Sequence, residues 1–131
     1  MSANARDAMA CARIMHVHEV VEAGQSLLGT LVRVTGRIRP VAGGDNTRIR
    51  IEDRSGAVLV IDTSRIVTPG MRPNSLFQFL GELTWREEAD EGENMVVVAR
   101  LGRCVEGMDE GLFEKALELK RQYESTDRAV R

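Results

Sequence analysis

Thr30-Leu31-Val32-Arg33-Val34-Thr35-Gly36-Arg37-Ile38-Arg39 alternates in polarity over its whole length. Val32, Val34 and Ile38 share one parity, and Arg33, Thr35, Arg37 and Arg39 share the other. That is the period of a strand with one face in a core. Gly36 falls on the apolar parity, where a side chain would be expected. A glycine there suits a bulge or sharp bend in a long strand. Pro40 ends the run, because proline has no N–H to donate to a ladder. A long, bent first strand is what a small sheet needs to close on itself.

Working outward, Arg48 to Asp53 alternates again, with Ile49 and Ile51 on one face and Arg48, Arg50 and Glu52 on the other. Gly43-Gly44 reads as a hairpin loop and Asp53-Arg54-Ser55-Gly56 as a turn. Val58 to Ile61 is an apolar strand. Thr63 to Ile66 is expected as one helical turn, broken by Pro69-Gly70. Leu76 to Trp85 and Met95 to Val105 are the fourth and fifth strands, with Gly81 and Gly102 inside them. Phe77, Phe79 and Trp85 share a parity with Gly81 and Leu83 and read as core. Before the first strand, Met1 to Arg13 is aperiodic, His16 to Val21 is expected as a short lead-in strand, and Gln25 to Gly29 turns the chain.

After Val105 the period changes. Leu112, Ala116, Leu119 and Tyr123 recur at helical spacing, widened by Phe113 and Leu117. Asp109 is the N-cap candidate, with Glu110 in the first turn. Five strands, a connector after the third and a closing helix make the chain all-β with a C-terminal helix: a single OB-fold five-stranded barrel. An SH3-like barrel and an open α+β sheet are the alternatives. The expected layout is a flexible extension over 1–29, the barrel and helix over 30–125, and a tail over 126–131.

Composition excludes several classes. A chain of 131 residues fits one domain. No apolar run approaches the ~20 residues of a membrane span, and no secretory apolar segment opens the chain. Cys11 and Cys104 form no C-x-x-C pair, which fits a reducing, intracellular setting. The only histidines, His16 and His18, would share one strand face, but no Cys/His cluster completes a metal site. They read as satisfied or solvated. Glu87, Glu88, Asp90, Glu91 and Glu93 flank Gly92 as a solvated loop tip rather than a walled carboxylate pair. Neither metal, cofactor nor catalysis is expected.

Two surfaces stand out. Residues 30–54 carry six arginines against three acids, net +3, although the whole chain is −2. Arg37, Arg39, Arg48 and Arg50, with Arg33, lie on the outward parity of adjacent strands. They are the candidate nucleic-acid contacts, because OB folds bind single strands across such faces. Single-strand binders also want aromatic platforms, and none sits among these arginines. The helix stripe of Leu112, Phe113, Ala116, Leu119 and Tyr123 is broader than one barrel mouth covers, and a surplus apolar face suits pairing with a second helix.

Phe79-Leu80-Gly81-Glu82-Leu83, Val97-Val98-Ala99-Arg100, Cys104-Val105-Glu106-Gly107-Met108-Asp109 and the helix ending near Arg121-Gln122-Tyr123 resemble the Ten-one family, the smallest subunit of the heterotrimeric CST telomere complex. Leu31 to Ile38 is similar to that family's first strand. The resemblance covers about residues 30–124. It implies a non-catalytic OB fold in the nucleus, at the telomeric region of chromosomes. The implied partners are an Stn-one-type OB-fold subunit, the large CST subunit and, through the complex, telomeric G-rich single-stranded DNA. It places Met108, Tyr123 and Arg33 on the partner-facing surface. It also implies telomere capping, telomerase restraint and C-strand fill-in by DNA polymerase alpha–primase. An autonomous OB-fold single-strand binder using the arginine face is the alternative function.

Overall fold

The computed structural model describes residues 12–40, 47–67, 71–86 and 94–130, the side chains of Pro40 and of 126–130 excepted. In chain order it contains β1 (Arg13–Ile14), α1 (Val17–Ala23), a 3-10 turn (Gly24–Leu27), β2 (Leu31–Pro40), β3 (Arg48–Glu52), β4 (Val58–Asp62), β5 (Leu76–Trp85), β6 (Met95–Cys104) and α2 (Glu110–Val130).

β2 does what its glycine foretells. Residues Leu31 to Arg37 pair with β5, and Arg37 to Pro40 pair with β3. The strand changes neighbours at Gly36-Arg37, where a Cβ on Gly36 would stand 2.9 Å from the Glu52 carbonyl oxygen. β3 pairs antiparallel with β4, β4 parallel with β6, and β6 antiparallel with β5. The ring β2-β3-β4-β6-β5 is therefore closed, and β1 adds to β2 in parallel. The register of β5 and β6 slips between Leu80 and Gly81, and a Cβ on Gly81 would lie 2.2 Å from the Val98 carbonyl oxygen.

The inward parities fill the barrel: Val32, Val34, Ile51, Ile61, Phe77, Phe79, Leu83, Val97 and Ala99 are inaccessible to solvent. Trp85, expected in this core, is 39% exposed, because it is the last residue of β5 and passes the end of the barrel.

Three other expectations need correction. His16 to Val21 is not a strand. Glu19 Oε1 accepts the His16 N–H at 2.8 Å and starts α1, and Val17 and Val20, spaced three apart, are fully buried with Met15 and Leu27 over one end of the barrel. Thr63 to Ile66 is a turn, closed by the Ile66 N–H on the Thr63 carbonyl at 3.3 Å. The final helix does not end near Tyr123 but runs to Val130, since no Gly or Pro follows Leu112 to stop it. Met1 to Cys11, Gly43-Gly44, Pro69-Gly70 and the acidic stretch around Gly92 lie outside the described residues.

Candidate partner-binding face and arginine wall

α2 starts where the sequence places its cap. Asp109 Oδ1 accepts the Leu112 N–H at 3.0 Å, and the Asp109 carbonyl accepts the Phe113 N–H at 2.9 Å. One edge of the helix is tied to the barrel at intervals of about one turn. Glu110 lies 3.8 Å from Arg37, Glu114 3.5 Å from Arg54, and Glu118 3.6 Å from His16. Arg121 pairs with Glu19 and donates to the Ile14 carbonyl at 2.7 Å. Leu117 is buried on this edge, and Phe113 and Met108, both half-buried, line a small cleft with Met15 and Asp53.

Half a turn round the helix, Leu112 is 66% exposed, Leu119 58% and Tyr123 75%, with Ala116 exposed between them. At i, i+4, i+7 and i+11 these four form one straight apolar stripe. The expected partner-binding set thus divides. Leu112, Ala116, Leu119 and Tyr123 come together on the outward stripe. Met108 and Phe113 shape the seat of the helix. Arg33 stands on another wall, between β1 and β5.

The arginines divide as well. Arg37 Nη1 donates to Glu106 Oε1 at 3.2 Å and to the Asn74 carbonyl at 3.0 Å, so Arg37 belongs to the turn beneath α2. Glu106 also accepts the Leu76 N–H at 2.7 Å, and with Arg37 this holds its carboxyl below the usual range. Arg39 stands directly opposite Arg50 on the β2–β3 ladder, and its Nε donates to Glu52 Oε2 at 2.9 Å. Arg48 is exposed opposite Asp62. Arg86, which sequence reasoning passed over, reaches the same place and bonds Asp62. No pattern in the sequence marks it, because it lies 24 positions from its partner.

His16 and His18 stack with centroids 5.0 Å apart, and His18 Nδ1 lies 3.0 Å from Asp53 Oδ2. Asp53 also accepts the His18 and Ser55 N–H groups at 3.0 Å each, the Ser55 hydroxyl at 2.6 Å and the Ala57 N–H at 3.1 Å. Burial pushes its carboxyl up, and these donors more than offset that and bring it below the usual range. His18 therefore ties α1 to the β3–β4 turn, and His16 stacks on it while facing Glu118 of α2. Among the described residues no group of three or more His, Cys, Asp or Glu could hold a metal ion.

A family profile described as a telomere-capping, CST complex subunit matches residues 8–127. The chain belongs to this family, the Ten1 family. CST complex subunit TEN1 of Arabidopsis thaliana is 35% identical over 95 residues, 72% of this chain and 71% of that protein. Among solved structures, a chain of the S. pombe Stn1–Ten1 complex superposes with a TM-score of 0.64 at 12% identity, covering 85% of this chain and 92% of that one. S. pombe Ten1 gives 0.63 at 15%, covering 85% and 98%. A chain of U. maydis replication protein A bound to single-stranded DNA gives 0.57 at 13%, covering 88% and 94%. At these identities the likeness is one of fold. This Ten1 family member has the single OB barrel with a C-terminal helix that its strand pattern announces, and not an SH3-like barrel or an open sheet.

Proposed function

We propose that this CST family member is a structural subunit that holds an Stn1-type OB-fold partner through the outward stripe of α2. The observation that carries the proposal is the stripe itself. A helix pinned by one edge presents four apolar residues in line on the other, and Tyr123 is three-quarters exposed. Such a face gains by covering itself with a second helix. Met108 and Phe113 contribute by setting how the helix sits, and Arg33 adds a contact on the β2 wall. Through that partner and the large CST subunit the chain supports telomere capping on G-rich single-stranded DNA in the nucleus, restraint of telomerase and C-strand fill-in by DNA polymerase alpha–primase. No step is catalysed by the chain. The autonomous-binder reading is less well supported, because Arg37 and Arg39 are already engaged with carboxylates.

Co-expression with an Stn1-type subunit followed by size-exclusion chromatography tests the proposal. The pair should elute as a heterodimer. Tyr123→Ala should weaken it about 30-fold, the equivalent of about 2 kcal/mol for a hot-spot aromatic, with the barrel still folded. Undiminished heterodimer with both Tyr123→Ala and Leu119→Glu would remove α2 from the interface.

A further inference from the structure

Charge on α2 is sorted by face. Glu110, Glu114 and Glu118 turn to the barrel, where they meet Arg37, Arg54 and His16. Lys115 and Lys120, the only lysines of the sequence, turn outward. Both are exposed, and among the described residues neither forms an ion pair.

Leu112, Ala116, Leu119 and Tyr123 are spaced four, three and four apart. That is the d-a-d-a order of a heptad repeat, and it puts Lys115 at g and Lys120 at e, one on each side of the seam. The seam is about 17 Å long at 1.5 Å of rise per residue. The barrel already holds this helix folded, so pairing does not have to order it first.

In a parallel helix pair, g of one helix faces e of the following heptad on the other, five positions on. Lys115 and Lys120 are five apart. Two copies of this chain laid stripe to stripe in parallel would therefore set lysine against lysine twice. The other positions flanking the seam are Phe113 and Gln122, so in neither direction does a second copy offer a lysine a carboxylate.

We propose that Lys115 and Lys120 choose the helix that covers α2. They bar a parallel pair of identical copies, and they admit a helix with apolar a and d positions and carboxylates at e and g. This rests on the reading of α2 as a helix-pairing face and adds the chemistry of what it accepts. Charge complementarity selects the occupant, because both charged groups beside the seam are cations with no acid of their own. Like charges across a seam exclude one partner as effectively as opposite charges select another.

Sedimentation equilibrium of the full chain alone tests the exclusion. Lys115→Glu turns both lysine–lysine contacts of the parallel pair into Glu–Lys contacts, and should tighten self-association about tenfold. Lys120→Glu should do the same by the mirror exchange, which keeps the test open if one variant disturbs the fold. Lys115→Glu with Lys120→Glu restores like charges and should lose the gain. Loss of positive charge alone predicts no such rise and fall.

Fluorescence anisotropy tests the selection. The probe is a labelled, capped four-heptad peptide with Leu at a and d and Glu at e and g, against the same peptide with Lys at e and g. The unmodified chain should bind the glutamate peptide about tenfold more tightly. The preference should shrink in 1 M salt, which screens exposed charges beyond about 3 Å. It should reverse when both lysines are changed to Glu, whereas Tyr123→Ala should weaken both peptides alike. Equal binding of the two peptides, or single and double variants that self-associate alike, overturns the inference and leaves the stripe as an interface. Binding of neither peptide removes the stripe, and the inference with it.

Discussion

Arg121 in α2 and Glu19 in α1 form an ion pair across 102 positions of sequence, and Arg121 also holds the Ile14 carbonyl. This joins the last element of the chain to the first. Glu110 and Glu114 face Arg37 and Arg54 in two further ion pairs, Glu118 lies beside His16, and Leu117 is buried with Phe113 and Met108 half-buried, so polar bridges and a few apolar side chains seat the helix together.

Arg121→Ala should therefore release the end of α2 without opening the barrel. The pair is about a quarter exposed on each side, so its share of stability is about 1 kcal/mol. Urea titration should show that loss, and hydrogen exchange should quicken around Leu117 while β2 and β5 stay protected. Equal quickening in β5 would contradict a seat separate from the barrel.

Acid should loosen the same seat. Burial raises the Glu19 carboxyl, but the Arg121 and His16 hydrogen bonds and the Arg121 charge bring it below its ordinary 4.5, and Asp53 lies below its ordinary 3.8. Carboxyls depressed in the folded state bind fewer protons there than in the unfolded chain. Their stabilisation is complete above those ordinary values and is lost as pH falls through the folded ones. The urea midpoint should be flat from pH 7 to about 5 and fall below 4.5, and Asp53→Asn should shallow the fall. A midpoint that rises on acidification would show the sign to be wrong.

Two of the three strand glycines, Gly36 and Gly81, should rank by what a Cβ meets. At Gly36 it meets the Glu52 carbonyl at 2.9 Å and Ile51 Cβ at 3.1 Å, so Gly36→Val should cost roughly 1–3 kcal/mol. At Gly81 it meets the Val98 carbonyl oxygen at 2.2 Å, in a backbone that cannot swing aside. Gly81→Ala should cost more, about 3 kcal/mol or above. Thermal melts decide the order, and a Gly36→Val variant that melts like the parent would mean β2 does not need its bend.

The barrel is legible in the sequence because its signals are local: strict alternation, a glycine on the core parity, a proline stop, a switch of period before the helix. β3 and β5 begin and end within a residue of where the pattern puts them. The outward stripe of α2 is legible for the same reason. What fails to show is whatever depends on distant pairing. Val17 and Val20 look like strand residues until the open end of the barrel they cover is known. Phe113 belongs periodically to the broad stripe, and only the position of the barrel turns it inward. The five arginines share a parity, yet Glu106, Asn74 and Glu52 sort them into different jobs, and nothing near them in sequence reveals it.

That sorting sets the DNA experiment. Arg48 and Arg50 lie on one face of β3, whereas Arg37 is spent on the turn under α2. The isolated chain, net −2, should bind single-stranded DNA no tighter than the ~10⁻⁴–10⁻⁶ M of sequence-independent phosphate contacts. In the assembled complex, Arg48→Ala with Arg50→Ala should weaken DNA binding modestly. The double change should also flatten the plot of log affinity against log salt by up to about 1.4, at about 0.7 per lost phosphate contact, and leave the protein partners joined. Arg37→Ala should leave the salt slope alone and instead speed hydrogen exchange in the first turn of α2. An unchanged slope in the double variant would make β3 an ordinary solvated face. Nanomolar, sequence-selective binding by the chain alone would instead make it a single-strand binder in its own right, with the arginines as its site.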